Sequence, residues 1–503
     1  MSGIDLNFLT QSSLDFMLLF TIAAPLVCGI FALVSSDTSR IRNYGIIALS
    51  LLHLINVFII KYFYDNYGTF SYQFVKLGNV VEFSFATEQY GIIFAIMVSI
   101  LWVATNIYSL GYIQLEQSGN VNKDTHILKF NFFLSMAIAA TIGIAFSANL
   151  LTMYICYELL TLVTYPLVNI SGSEHAIKAG RKYLLVLILT SLFLFLPAIL
   201  YINNVAGELN FTEGGILVDK LTSPELFILL GMVIFGVAKT AIFPFHSWLP
   251  AAMVAPVPVS ALLHAVAVVK SGVFVIIKII LYIFGVDYLQ KVSSEYSFTQ
   301  NIFILTCCFT ILYASVKSIY QTKIKQMLAF STISQLGFSM LAISFFTYGG
   351  IVASFIHMVF HAFAKIVLFF CAGLIYTSAG ISDIEDTKSI ARYFPSAMLC
   401  FSICALSLVG IPPLAGFFSK FLILSSSASN PILWVVITTI LLSTALTATY
   451  FVRFIYNIYF NPSELETAPF KVPATMQYII VATTIFLLML PLLIDYLVGY
   501  LTL

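Results

Sequence analysis

Runs of about 20 apolar residues, separated by short polar breaks, recur along the chain. Fourteen such windows lie near residues 14–34, 44–62, 91–111, 130–147, 149–169, 180–202, 226–246, 254–283, 301–319, 323–346, 349–378, 395–425, 431–456 and 476–501. At 1.5 Å per residue, about 20 residues cross the roughly 30 Å hydrocarbon layer, so each window is expected as a transmembrane helix. Only Ser147, Ala148 and Asn149 separate the fourth and fifth, which leaves thirteen as the alternative count from hydropathy alone. The seventh window carries Pro244, and the twelfth carries Gly410-Ile411-Pro412-Pro413. Proline removes a backbone donor and clashes with the preceding turn, so both helices are expected to be broken. The expected fold is an all-α integral membrane protein of about 14 transmembrane helices.

Composition narrows the class further. The 503 residues hold 45 charged side chains, 23 basic and 22 acidic, where a soluble chain of this size would hold roughly 125. That shortfall excludes a soluble enzyme and a disordered chain. The net charge of +1 supplies no field for nucleic acid. Fourteen basic residues fall in loops of one side: Arg40, Arg42, Lys123, Lys129, Lys178, Arg181, Lys182, Lys317, Lys323, Lys325, Lys388, Arg392, Arg453 and Lys471. The other side has four, Lys61, Lys76, Lys220 and Lys291, and five remain within spans. The positive-inside rule then places both termini outside a cell (inner) membrane. The N-terminus lacks the basic region of a signal peptide, so the first apolar window is expected to be retained as a span. Seven cysteines lie in apolar stretches without a CxxC pair and read as small core residues. No metal site, cofactor site, catalytic triad or phosphate loop is expected.

Ionisable groups within the hydrocarbon are costly and are functional candidates by default. Glu158, in MYICYELLTLVTYPL, is the one acid in the middle of a span, whereas Glu225 and Asp495 lie near span ends. Lys239 and Lys420 each share a span with one of the proline breaks. Backbone freed by a break is tolerated where it lines a hydrated cavity or packed protein, which points to an ion path. His357, His361 and Lys365 are spaced by four and share a helix face like rungs of a proton relay. Hydrogen-bonded structural histidines are the plainer alternative. Lys270 and His264, six residues apart, share a face only if their helix is distorted. Lys278, near the outer end of the same span, is expected to snorkel to water. Lys182 is either a loop charge or the first relay group.

A carboxylate and an ammonium about 4 Å apart attract by roughly 4 kcal/mol at an effective dielectric of about 20. That equals about three pKa units. Moving Glu158 toward or away from Lys239 is thus enough to make the lysine hold or release a proton. The alternative is that the pair only packs helices. The two broken spans run in opposite directions and five positions apart, which suggests an inverted repeat of helices 4–8 and 9–13. The counterpart of the Glu158 span offers Ser331, Thr332, Ser334 and Gln335 but no acid. The corresponding division is 1–129 (peripheral helices 1–3), 130–283 (first half), 284–460 (second half) and 461–503 (helix 14).

Four colinear segments carry a specific resemblance: VAKTAIFPFHSWLPAAMVAPVPVSALLHAVAVVKSGVF, YQTKIKQMLAFSTISQLGFSM, HMVFHAFAKIVLFFCAG and GIPPLAGFFSKF. Over about residues 130–425 the chain resembles the antiporter-like proton-channel family. That family includes the large antiporter subunits of respiratory complex I and the A-type and D-type members of Mrp cation/proton antiporters. The resemblance implies two half-channels joined by a polar axis along the membrane plane. It assigns Glu158 to the fifth-helix glutamate, Lys239 to the seventh-helix lysine and Lys270, preceded by His264, to the eighth-helix lysine. His357, His361 and Lys365 fit the eleventh-helix motif, and Lys420 the terminal residue of the twelfth.

Within the family, Lys420 argues against the M-type subunit of complex I, which usually has glutamate there. The ALLHAVAVVKSGVF stretch and the chain length look most like the D-type Mrp proteins. The expected function is a proton-translocating subunit of a multi-subunit Na+/proton antiporter, partnered by other membrane subunits. The alternative is the proton-pumping arm of complex I (NADH-quinone oxidoreductase) or a membrane-bound hydrogenase, with the redox centre on another subunit. A stand-alone solute symporter is disfavoured, because the spans hold no second polar cluster of substrate size. The loop SAGISDIEDTKSIARYFP and the segment NPSELETAPFKVP are expected as solvated loops, with partner contact the alternative.

Overall fold

The computed structural model describes residues 11–35, 39–77, 81–116, 124–428, 430–462, 470 and 472–502. Lys123, Lys471, most of NPSELETAPFKVP and the first ten residues lie outside the described residues. The N-terminal part comprises α1 (Gln11–Val34), α2 (Ser39–Tyr67), β1 (Ser71–Leu77), β2 (Val81–Ala86) and α3 (Gln89–Glu116). It continues into α4 (Asp124–Phe146), α5 (Leu150–Val168), α6 (Glu174–Thr190) and α7 (Leu196–Ala206). The middle comprises α8 (Ser223–Gly236), α9 (Trp248–Ala251), α10 (Val257–Ala261), α11 (Val268–Ile279) and α12 (Val286–Glu295). Next come α13 (Ser297–Ile319), α14 (Ile324–Ile343) and α15 (Tyr348–Ala379). The C-terminal part is α16 (Pro395–Val409), α17 (Ala415–Ser426), α18 (Leu433–Phe460), α19 (Ala474–Met489) and α20 (Ile494–Thr502).

Among the described residues, 12 helical runs are long and apolar enough to cross a membrane. The expected seventh and twelfth windows fall instead on the shorter apolar helices α8, α16 and α17. The apolar window of α15 is buried throughout, whereas that of α1 is only one-third buried. The bundle is therefore built around α15. Large apolar side chains such as Phe16, Leu52, Trp434 and Leu492 project from the periphery, where hydrocarbon rather than water suits them.

The fourth and fifth windows are two helices, because the turn between them is a polar junction. Asn149 caps α5 by accepting from the Thr152 amide at 2.7 Å. Its amide group also donates to the Glu82 carbonyl and the Ser84 hydroxyl at 3.0 and 2.9 Å. The partner in this junction, the antiparallel β1–β2 hairpin, was not expected from the sequence. It lies in the 62–91 connection and satisfies backbone groups that the bare α4–α5 turn leaves open.

Both expected breaks are present. After α8 the chain makes a 3₁₀ turn at Ala238–Thr240, passes through Ala241 at φ 53° and a cis Phe243–Pro244 bond, and resumes at α9. The Trp248 indole N–H donates back to the Ala238 carbonyl at 3.0 Å and pins the turn. Between α16 and α17, Gly410 has φ 94° and Pro412–Pro413 is cis. The eighth span is also irregular, with π turns at Leu262–Val266 and Ile280–Phe284, so the distortion that sequence left open does occur. The loop SAGISDIEDTKSIARYFP departs from a simple solvated loop. Ile390, Ala391 and Phe394 are buried, and the Asn457 side chain of α18 donates to the Thr387 hydroxyl at 3.0 Å. The loop is a strap on the basic-rich face.

Candidate functional site: a buried basic axis

The site starts at the two helix breaks, where backbone carbonyls lose their helical donors. Lys420 answers that need in the second break. Its Nζ donates to the Leu408 and Val409 carbonyls at 3.0 and 2.9 Å, capping the end of α16, and reaches the Thr444 hydroxyl at 3.4 Å. Gly410 packs beside it, and a Cβ there would stand 3.2 Å from the lysine Cδ. In the first break Lys239 is fully buried and donates to the Tyr157 carbonyl of α5. Its ammonium lies 3.2 Å from the Tyr157 ring centroid, a cation–π contact.

Glu158 follows Tyr157 directly but forms no ion pair with Lys239 within 4.0 Å. Its half-buried carboxyl lies near Ser191, and one carboxyl oxygen has no hydrogen-bond partner. The structure therefore shows the pair open, with the lysine one residue away from the acid.

The first break is joined to the middle of the molecule by a close approach. A Cβ on Gly272 of α11 would lie 2.6 Å from the Lys239 carbonyl carbon and 2.7 Å from the Thr240 nitrogen. Only glycine lets α11 sit this close, and Lys270 comes with it. Lys270 Nζ hydrogen-bonds His361 Nδ1 of α15. The His361 and His357 rings are nearly parallel, 6.2 Å apart between centroids. His357 Nδ1 then meets the Ser419 hydroxyl at 2.9 Å, next to Lys420. Lys270, His361, His357, Ser419 and Lys420 thus form one buried line that ends at the second break, while the α11 backbone packs on the first break at Lys239. Among the described residues, the outer ring nitrogens of both histidines have no hydrogen-bond partner, nor does the Gln335 side-chain amide of α14. Unpaired polar atoms this deep are where an ordered water is accommodated.

The remaining candidates flank the line. Lys365, one turn past His361, donates to the Leu328 carbonyl at 3.0 Å. His264 lies in the π turn, 5.1 Å from the Phe369 ring, with neither nitrogen bonded. It does not pair with Lys270, whose partner is on α15. Lys182 is exposed at the start of the sixth span and is a surface charge in this structure.

Lys278 corrects the sequence reading. It does not snorkel; it is 1% exposed and pairs with Glu88 at 2.8 Å while donating to the Ser147 carbonyl at 2.7 Å. Glu88 lies just before α3, so a partner at matching depth was available. Sequence reasoning missed it because the two are 190 residues apart. Tyr157 and Ser419 were also missed, though each directly precedes a candidate residue, Glu158 or Lys420.

The family model described as "NADH:quinone oxidoreductase/Mrp antiporter, TM" matches residues 147–447. NAD(P)H-quinone oxidoreductase chain 5 of a Synechocystis species is 30% identical over 373 residues, covering 71% of this chain and 52% of its own. The chain thus spans about half the length of this relative. A chain of the archaeal membrane-bound sulfane sulfur reductase superposes with a TM-score of 0.81 at 21% identity, covering 98% of this chain and 96% of that one. A chain of the Mrp complex from Dietzia superposes at 0.82 and 22% identity, covering 96% and 51% respectively. Both likenesses concern the fold.

Proposed function

Because the chain belongs to the NADH:quinone oxidoreductase/Mrp antiporter family of membrane subunits, we propose that it carries protons for a multi-subunit assembly, in the first place a Na+/proton antiporter. The observation that supports this most is the buried line from Lys270 through His361 and His357 to Lys420, with the α11 backbone packed against the break that holds Lys239. Basic groups placed there are costly unless they exchange protons or hold the fold. Their partners are carbonyls, hydroxyls and each other, so no acid on the line fixes them in the charged state.

Each residue then has a role. Glu158, with its neighbour Tyr157 already holding Lys239, swings between an open and a paired position. Pairing favours the ammonium on Lys239, and opening releases its proton toward Lys270. The Lys270–His361 hydrogen bond passes a proton from α11 to α15, and His357 with Ser419 delivers it to Lys420. Lys365 and His264 form a branch toward the basic-rich face, where Lys325 donates to the Ala255 carbonyl at 2.6 Å. Residues 130–283 and 284–460 act as the two half-channels, one break in each.

In the assembled complex, Glu158→Gln and Lys239→Met should each reduce cation-dependent proton exchange to background while the complex still assembles. Normal exchange in both variants refutes the reading. The second reading, a proton-pumping arm of a quinone or hydrogenase complex, draws on the 30% identity to the oxidoreductase chain. Purification in mild detergent separates the two: small antiporter subunits favour the first, and flavin or iron–sulfur subunits the second.

A further inference from the structure

The Glu88–Lys278 pair lies at a cavity of about 410 Å³ on the basic-poor face. The cavity is bounded by the β2–α3 junction, the α4–α5 turn, the loop before α8 and the start of α15. Its titratable lining comprises Glu88, Glu213, Tyr64, Tyr90, Tyr282 and Tyr348. Lys278 sits just beneath, its Nζ 4.5 Å from the centroid of Phe211, another lining residue.

Lys278 is on the same helix as Lys270, eight residues on. At 1.5 Å per residue the two are about 12 Å apart along the axis. Phe274 stands midway, so Lys270, Phe274 and Lys278 follow one another at steps of four along one side of α11. The Phe274 ring stacks on Phe94 at 4.3 Å and contacts Phe355 at 6.4 Å, while Lys278 Nζ lies 5.8 Å from its centroid. Polar groups flank this aromatic layer. Among the described residues, the Ser271 hydroxyl beside Lys270 and the Ser354 hydroxyl of α15 are both buried without a hydrogen-bond partner. Val352, two residues before Ser354, already lines the cavity.

We infer that this cavity is a proton port, the point where the buried basic axis meets water on the basic-poor face. Glu88 and Lys278 are its terminal exchange groups, and the Phe94–Phe274–Phe355 layer is its gate. The inference rests on the proton-carrying reading above. A clamp would account for the ion pair, because Lys278 ties α11 to Glu88 and to the α4–α5 turn. It would not account for a polar cavity at the pair, or for unpaired hydroxyls at Ser354, next to Phe355, and at Ser271, next to Lys270. A dry apolar constriction blocks ions and protons until it wets.

The test uses the assembled complex in vesicles under an imposed pH gradient, without the exchanged cation. Phe274→Ala should raise passive proton conductance about tenfold over wild type, as expected for opening an apolar constriction. Adding Lys270→Met should return it to the wild-type level, because the leak runs through the axis. Phe94→Ala serves if Phe274→Ala does not assemble, and the same leak is expected. A Glu213→Cys variant should react with a membrane-impermeant thiol reagent added on the basic-poor side. Tight vesicles from both phenylalanine variants, a leak that persists with Lys270→Met, or a Glu213→Cys variant that the reagent does not label overturns the port. If Glu158→Gln and Lys239→Met both leave coupled proton exchange intact, the proton-carrying reading itself fails. Loss of exchange in Lys239→Met with tight Phe274→Ala vesicles rejects the port alone.

Discussion

The buried lysines share a physical solution to an expensive problem. An ammonium in hydrocarbon needs acceptors, and a broken or ending helix has spare carbonyls. Lys420 takes those of Leu408 and Val409 at the end of α16 and Lys278 that of Ser147 after α4, while Lys365 shares the Leu328 carbonyl within α14 with the Thr332 hydroxyl. In the proposed reading capping and proton exchange are combined in one side chain, and arginine separates them. Its guanidinium can donate to the same carbonyls but does not release a proton in a protein. Lys420→Arg should assemble, with a thermal stability within about 1 kcal/mol of wild type. Its proton flux should fall about tenfold or more for want of a releasable proton. Thermal unfolding and vesicle flux on the same preparation check both halves. Normal flux would reduce Lys420 to a helix cap. At this scale the sequence revealed which residues were unusual, because a charge among apolar neighbours stands out. It did not reveal their partners, since carbonyl acceptors have no residue signature. The snorkelling expected of Lys278 failed because Glu88, 190 residues earlier in the chain, is near it only after folding.

At the scale of elements, the helices were readable as apolar windows and the two breaks as prolines. The β1–β2 hairpin was not, because its short alternating strands lie inside a connection between spans. The π turns of the eighth span were not readable either, as their residues are ordinary for a buried helix. The most consequential element contact is that of α11 with the first break, and it depends on Gly272. Gly272→Val should lower stability by about 2–3 kcal/mol through overpacking, because its Cβ would meet the Lys239 and Thr240 backbone. It should also abolish transport by pushing Lys270 away from His361. Gly231→Ala in α8 is the contrast: nothing lies within 4 Å of the added Cβ, and helix propensity favours alanine by about 1 kcal/mol. Unfolding midpoints of the two variants should move in opposite directions. An unchanged Gly272→Val midpoint would contradict the close packing of α11 on the break.

Over the whole molecule, the peripheral helices face the surrounding hydrocarbon and α15 forms the centre, and the polar line crosses that centre between the two breaks. Composition already implied this division, since a chain with 9% charged residues keeps each buried charge for a reason. The line was not legible, because it joins α11, α15 and α17 through contacts that sequence order does not suggest. His361 of α15 bonds Lys270 of α11 and, in the proposed reading, is the junction of the two halves. The most direct test is therefore the proton flux of the assembled complex carrying His361→Leu, reconstituted in vesicles and compared with wild type. The account predicts that flux falls to background while the composition of the complex and its thermal stability are retained. Wild-type flux from an intact His361→Leu complex would contradict it.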